Sequence, residues 1–359
     1  VLLRPLPYDQ PERIMTLWES NPQLDVAQDR VAAGTYRDWS ERSESFEALG
    51  AYSFESFVLT TTDEVLQLSG ARISPSVLEV LGVRPALGRT FREDEAVAGN
   101  DNVVLLSDGF WAQRYGSDPD VIGNSIVLDD APYTIVGVMP PRFEFPPDAN
   151  DIDLWRPLAI DARILPVRAM RVYNVVGRLR PDASVDQARA EMDAISRGIA
   201  EENPETNRGW SADVTPALNQ LVGDFTTLVV VLAGAAGLVL LIGCVHITNL
   251  MLARASATQR EFAVRAALGA SPVRLVRRSV AESLTLVAGG GAAGIVLAVA
   301  GVGIIRRVIP PDLPRIDEIA IDARVMGFAL AAALVSGLFF GLYPALRAIR
   351  PRLVDVLQD

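Results

Sequence analysis

From Val1 to Phe225 apolar residues are interspersed with charge in short runs, whereas after Thr226 three long apolar stretches appear, separated by short charged segments. In the first region period-two alternation predicts strands at Arg13 to Glu19, Ala51 to Leu59, Val65 to Ile73 and Asn102 to Leu106. Further strands are expected at Ser125 to Leu128, Tyr133 to Val138, Val172 to Leu179 and Ala212 to Val214. The Ile126 and Tyr133 runs flank Asp129-Asp130 and read as a hairpin. Ser74-Pro75 offers an N-cap and a first-turn proline before Val77 to Leu81, with Gly82 as a stop. Ser184 and Gln187 have capping-box spacing, and Ala188, Met192, Ile195 and Ile199 fall on one face of the helix that follows, a core-facing stripe.

The apolar stretches have the lengths of membrane spans. Thr226 to Leu252 holds 27 residues without formal charge, roughly 40 Å of helix at about 1.5 Å per residue. A second span is expected over 279–305, between Arg278 and Arg306 and with Glu282 as its only charge, and a third over 325–346. A buried soluble helix is the alternative for each, and three in succession weaken it. The segment 253–278 carries six Arg against Glu261, and the tail adds Arg347, Arg350 and Arg352. Both are expected on the cytoplasmic side by the positive-inside rule. The loop 306–324, balanced by Asp312, Asp317, Glu318 and Asp322, is expected outside, together with residues 1–225. A domain placed there needs a signal or an upstream span, and a chain beginning at Val1 with Leu-Leu-Arg-Pro-Leu-Pro-Tyr reads as the exit from one. An N-terminal truncation that removed one more spanning helix is therefore expected.

Charge and composition narrow the function. Up to Phe225 there are 20 Arg against 36 acidic residues, a net charge of −16; the remainder holds 13 against 8, or +5. So acidic a domain repels phosphate, and nucleic acid is not an expected partner. All 33 basic residues are Arg. Without Lys the chain holds no Walker-type P-loop and no Schiff-base lysine. One Cys (Cys244) and one His (His246) exclude an internal disulfide, a CxxC site and an HExxH zinc site. No nucleophile, base and orienting group can be assembled, so no catalytic residue, cofactor site or metal site is assigned.

Polar groups inside the apolar stretches have modest readings. His246, Thr248 and Asn249 suit helix–helix hydrogen bonding ahead of a proton relay. Glu282 has Arg278 four residues before it, the spacing of an interfacial ion pair. Gly290 with Gly294, and Gly337 with Gly341, have the spacing that permits close helix approach.

The most informative stretch lies between the first two spans. Gln259 to Leu268 is helix-prone, Gly269 supplies a stop, and Ser271-Pro272 caps a helix leading back towards the membrane. A short cytoplasmic helix presenting Arg260, Glu261 and Arg265, with Phe262 and Val264 as apolar anchors and Leu268-Gly269 at its end, suits docking into a groove of a partner. The residues alone leave open the alternative, that these Arg enforce topology and bind lipid headgroups.

The run Arg260-Glu-Phe-Ala-Val-Arg-Ala-Ala-Leu-Gly-Ala-Ser resembles the coupling segment of MacB/FtsX-type ABC transporter permeases. Phe110-Trp-Ala-Gln-Arg-Tyr-Gly, Ile122-Gly-Asn and Tyr133-Thr-Ile-Val-Gly-Val-Met-Pro resemble that family's periplasmic core, and Tyr343-Pro-Ala-Leu-Arg-Ala its final helix. Both termini look most like the duplicated permeases of the family, in which a second copy of the unit follows. His246-Ile-Thr departs from the Asn-rich run more usual there. The resemblance implies a membrane α-helical bundle joined to an α+β extracytoplasmic domain of the MacB periplasmic-core type, in the bacterial inner membrane. It implies a non-catalytic subunit that works with a separate ABC ATPase and a second permease unit, as a homodimer or duplicated half. A periplasmic adaptor or outer-membrane conduit is a further possible partner. Export by mechanotransmission is the implied activity, and a non-transporting sensor or scaffold of a cell-wall partner is the rival.

Overall fold

The computed structural model describes residues 8–60, 65–146, 152–220, 230–239, 241–243, 245–246, 249, 272–308 and 326–331. The chain divides into two compact units, Leu2–Asp224 and Phe225–Asp359. The first unit is α+β. Its strands are β1 (Ile14–Asn21), β2 (Val26–Asp29), β3 (Val31–Ala32), β4 (Phe46–Thr60), β5 (Val65–Ile73) and β6 (Leu87–Gly88), followed by β7 (Val103–Leu106), β8 (Ser125–Leu128), β9 (Ala131–Val138), β10 (Leu154–Pro157), β11 (Arg171–Leu179) and β12 (Ser211–Pro216). The helices are α1 (Ala33–Arg42), α2 (Pro75–Leu81), α3 (Asp108–Tyr115), α4 (Val185–Glu202) and the single turn α5 (Pro204–Asn207).

The described strands form one sheet whose main path runs β12-β1-β11-β4-β5-β10-β7-β9-β6, with β2 added to β1, β3 to β11, and β8 joining β4 and β9. Side chains alternate across a strand, so neighbouring residues feed different cores. Ile14 and Val176 join Leu81, Phe145 and Trp155 under α2. Met15 and Val175 join Trp39 and Met192 under α1 and α4. Along the far halves of β4 and β5, Phe57 packs with Leu106, Phe110 and Leu128 in a third cluster.

Local chemistry explains the turns. Asp129 and Asp130 both have positive φ, 50° and 63°, which is what a type I′ two-residue hairpin requires of its central pair. Ser184 Oγ accepts from Gln187 N at 3.2 Å while Gln187 Oε1 accepts from Ser184 N at 2.8 Å, the capping box expected of α4. Ala188, Met192 and Ile199 are buried and Ile195 packs on the same core. Ser74 stands at the N-cap position of α2 but forms no side-chain cap. Its Oγ accepts from Ala51 N at 3.0 Å instead, tying the helix to β4.

One strand boundary needs correction, some elements were not foreseen, and the spans stay unestablished. β4 begins at Phe46, five residues before the expected Ala51, because Glu47, Ala48 and Gly50 obscure the alternation. Helices α1 and α3 and the strand β10 had no sequence signal strong enough to place them. The three-span bundle is not established by the fold: a helix runs Pro272–Val308, but among the described residues no helix is long and apolar enough to cross a membrane.

One ion pair predicts a pH dependence. Glu95, nearly buried, accepts from Arg89 Nη1 at 2.9 Å and Nη2 at 2.6 Å and from Arg92 N at 2.8 Å. Burial works to raise its pKa, but these donors outweigh it and hold the carboxyl below its ordinary 4.5. A carboxyl whose folded pKa is depressed contributes stability above the unfolded value and loses it as pH falls through the folded one. Glu95→Gln is therefore expected to be less stable than wild type at pH 7, with the gap closing as pH drops below about 4 in denaturant titrations.

Candidate functional site

β1 and β12 are antiparallel neighbours, with Met15 opposite Pro216 and Ser20 opposite Ser211. Residues 8–13 lead into β1 and 217–220 follow β12, so the two ends of the unit's described chain lie side by side. This root is held together by apolar packing, in which Tyr8, Ile14 and Ala217 are buried in one cluster with Leu218 against it.

Two arginines fasten the incoming segment. Arg178, near the end of β11 and 6% exposed, donates from Nε to Val80 O at 2.7 Å and from Nη2 to Asp9 O at 2.8 Å. It thereby joins the incoming chain, the sheet and the last turn of α2. Burial lowers its pKa and neighbouring Arg13 adds to that, yet a guanidinium stays protonated in proteins. Arg13 donates from Nε to Leu179 O at 2.8 Å and pairs from Nη2 with Glu47 at 2.6 Å. Tyr8 OH donates to Glu144 O at 2.5 Å. Gly82 ends α2 at φ 66°, where an added Cβ would lie 3.2 Å from Asp9 Cβ and 3.3 Å from Arg178 Nη2. A left-handed residue without a side chain is what lets the clamp close.

The outgoing strand is fastened separately. Thr16 Oγ1 donates to Thr215 O at 3.1 Å, and Arg189 of α4 donates from Nε to Val214 O at 2.9 Å. Gln220 Nε2 donates to Gln28 Oε1 at 3.2 Å. Both ends of the unit are thus tied to the sheet by paired backbone and by guanidinium contacts. Among the described residues no group of His, Cys, Asp and Glu converges as for a metal.

The residues expected to dock a partner, Arg260, Glu261, Phe262, Val264, Arg265, Leu268 and Gly269, lie outside the described residues, as do Cys244 and Thr248. His246 is exposed on a helical stretch. Sequence reasoning missed the root. Its available signal was Arg178, a charged residue next to last in a strand reading Arg-Val-Tyr-Asn-Val-Val-Gly-Arg-Leu.

Comparison with known proteins bears on both units. A model of the MacB-like periplasmic core domain matches residues 8–195, more than half of the chain, and one of the FtsX-like permease C-terminal region matches 233–352. The macrolide export ATP-binding/permease protein MacB of Burkholderia pseudomallei strain 1710b is 23% identical over 280 residues, covering 78% of this chain and 41% of that protein. The protein of the same name from Hahella chejuensis is 22% identical over 340 residues, covering 89% of this chain and 50% of its own. The chain thus spans half or less of the length of these relatives. The crystal structure of the periplasmic region of MacB from Actinobacillus actinomycetemcomitans superposes with a TM-score of 0.42 at 12% identity, over 57% of this chain and 89% of that one. With its periplasmic-core and permease regions matched in chain order, this chain belongs to the MacB/FtsX-type permease family.

Proposed function

We propose that the chain is the permease component of an ABC transporter, moved by a partner ATPase and working in export. The observation that carries this reading is the root, where two adjacent strands and the Arg13 and Arg178 clamps fasten both ends of the outer domain to its sheet. In this reading residues 1–225 sit outside the cytoplasm, and 226–252, 279–305 and 325–346 cross the inner membrane. Exposed apolar side chains support the crossings. Val230, Val231 and Leu232 are 59–63% exposed and Val296, Leu297 and Val299 57–72%, and helices apolar on every side belong in lipid or a protein core.

The relatives are named as ATP-binding proteins as well as permeases. With no Lys among them, these 359 residues hold no phosphate-binding loop, and in this reading ATP hydrolysis is the work of a partner ATPase. The segment 253–278 docks it through Arg260, Glu261 and Arg265, anchored by Phe262 and Val264. ATP-driven closure of the ATPase then shifts this segment, and the membrane helices carry the motion to the root. A second permease unit faces the first across a twofold axis.

Reversing charge tests the docking. Wild type is expected to retain an ATPase from its own genome on co-purification, whereas Glu261→Arg with Arg265→Glu is expected to lose at least nine-tenths of it. Folded wild type that retains none would sink the transporter reading in favour of a sensor or scaffold.

A further inference from the structure

The two sides of the sheet are filled differently. On the side of α2 one core runs unbroken from Ile14 on β1 and Val176 on β11, through Tyr52, Ile73 and Trp155, to Leu105 on β7 and Val136 on β9. The other side holds two separate cores, one under α1 and α4 and one under α3. β4 gives Ala51 to the first and Phe57 to the second, and β10 gives them Leu158 and Leu154. Side chains two apart share a side of a strand, so Ser53, Glu55 and Arg156 stand on that side too, in the gap between the cores.

Charges cross this gap from strand to strand. Arg72 on β5 lies opposite Ser53 on β4 and, along its other edge, beside Arg156 on β10. Arg72 pairs with Glu55, and Arg156 pairs at 3.1 Å with Asp101, just before β7. The Arg72 and Glu55 side chains are 40% and 25% exposed, so water reaches the seam. β4 also changes neighbours here. β11 accompanies it as far as Tyr52 and β8 joins at Leu59; between them, among the described strands, β4 pairs with β5 alone.

We propose that the outer domain bends along this seam, the α3 core swinging relative to the α1–α4 core about the unbroken core on the α2 side. A close-packed apolar core resists such a motion, whereas a partly exposed ion pair contributes little and exchanges its partner for water as the seam opens. The bend is a property of the outer domain alone and goes beyond the permease reading. In that reading it sets how much of a motion at the root reaches the α3 core.

The test is pulsed dipolar spectroscopy on the full chain in detergent without nucleotide, with Cys244→Ser removing the natural thiol. Spin labels on exposed positions of α1 and α3, Ser40→Cys and Gln113→Cys, report across the seam. Labels at Ser40→Cys and Asp186→Cys, on α1 and α4, report within one core. The distance distribution across the seam is expected to be roughly twice as broad as that within the core, or broader. Glu55→Leu with Arg72→Leu, which joins the two cores through apolar side chains, is expected to bring it down to the within-core width, while Arg72→Lys leaves it broad. Ser53→Leu takes the place of the double variant if that does not fold. Equal widths in wild type, or a folded variant with an apolar seam that stays as broad as wild type, would overturn the proposal. No ATPase enters this measurement, so its failure leaves the permease reading standing.

Discussion

Glu19→Ala is expected to destabilise the outer domain by about 3–5 kcal/mol, the range for removing one partner of a buried ion pair. Glu19 on β1 is 1% exposed, and its Oε2 lies 2.5 Å from Arg171 Nε on β11. Removal leaves the Arg171 guanidinium, stacked 3.5 Å over the Trp210 ring, buried without its counter-charge. Burial pushes the Glu19 carboxyl above its ordinary 4.5, with Arg171 pulling the other way, so the ionised pair is itself held at a desolvation cost. Replacing both residues, Glu19→Met with Arg171→Met, is accordingly expected to recover most of the loss. Urea unfolding of the wild type, the single and the double variant checks this; a double variant no better than the single would refute it.

That buried polar layer also explains what sequence could and could not reveal. β5 was legible to the residue because Leu66 and Leu68 alternate with Gln67 and Ser69 ahead of the β-prone end at Ile73, and α4 because its capping box and its apolar stripe agree. Helix α1 was not, because its buried residues include Thr35 and Asp38 beside Trp39. Asp38 meets Arg168 at 2.5 Å, a partner 130 residues away, so a polar position at the core breaks the expected period. β10 hides the same way: Arg156 in its centre lies 4.3 Å from the Tyr133 ring centroid and 3.1 Å from Asp101. The root was illegible for a similar reason, since the Arg178 partners are backbone carbonyls 98 and 169 residues distant, and backbone acceptors leave no mark on composition.

Arg178→Met is the second large effect expected. The substitution keeps much of the apolar stem but leaves Val80 O and Asp9 O without their donor. At about 1–3 kcal/mol for each buried group left unpaired, a loss of about 2–6 kcal/mol is expected. The variant also separates stability from coupling. ATPase co-purification is expected to persist, because 253–278 is untouched, while transmission to the outer domain weakens. A variant as stable as wild type would show that the clamp contributes nothing.

The most direct measurement is hydrogen exchange on the full chain co-purified with its ATPase, comparing the nucleotide-free complex with one trapped in the ATP-bound state. Transmission through the root predicts changed protection in 253–278 and also in residues 8–14 and 211–220, with the second set lost in Arg178→Met. Changes confined to 253–278 in wild type, with the root unmoved, would contradict the account.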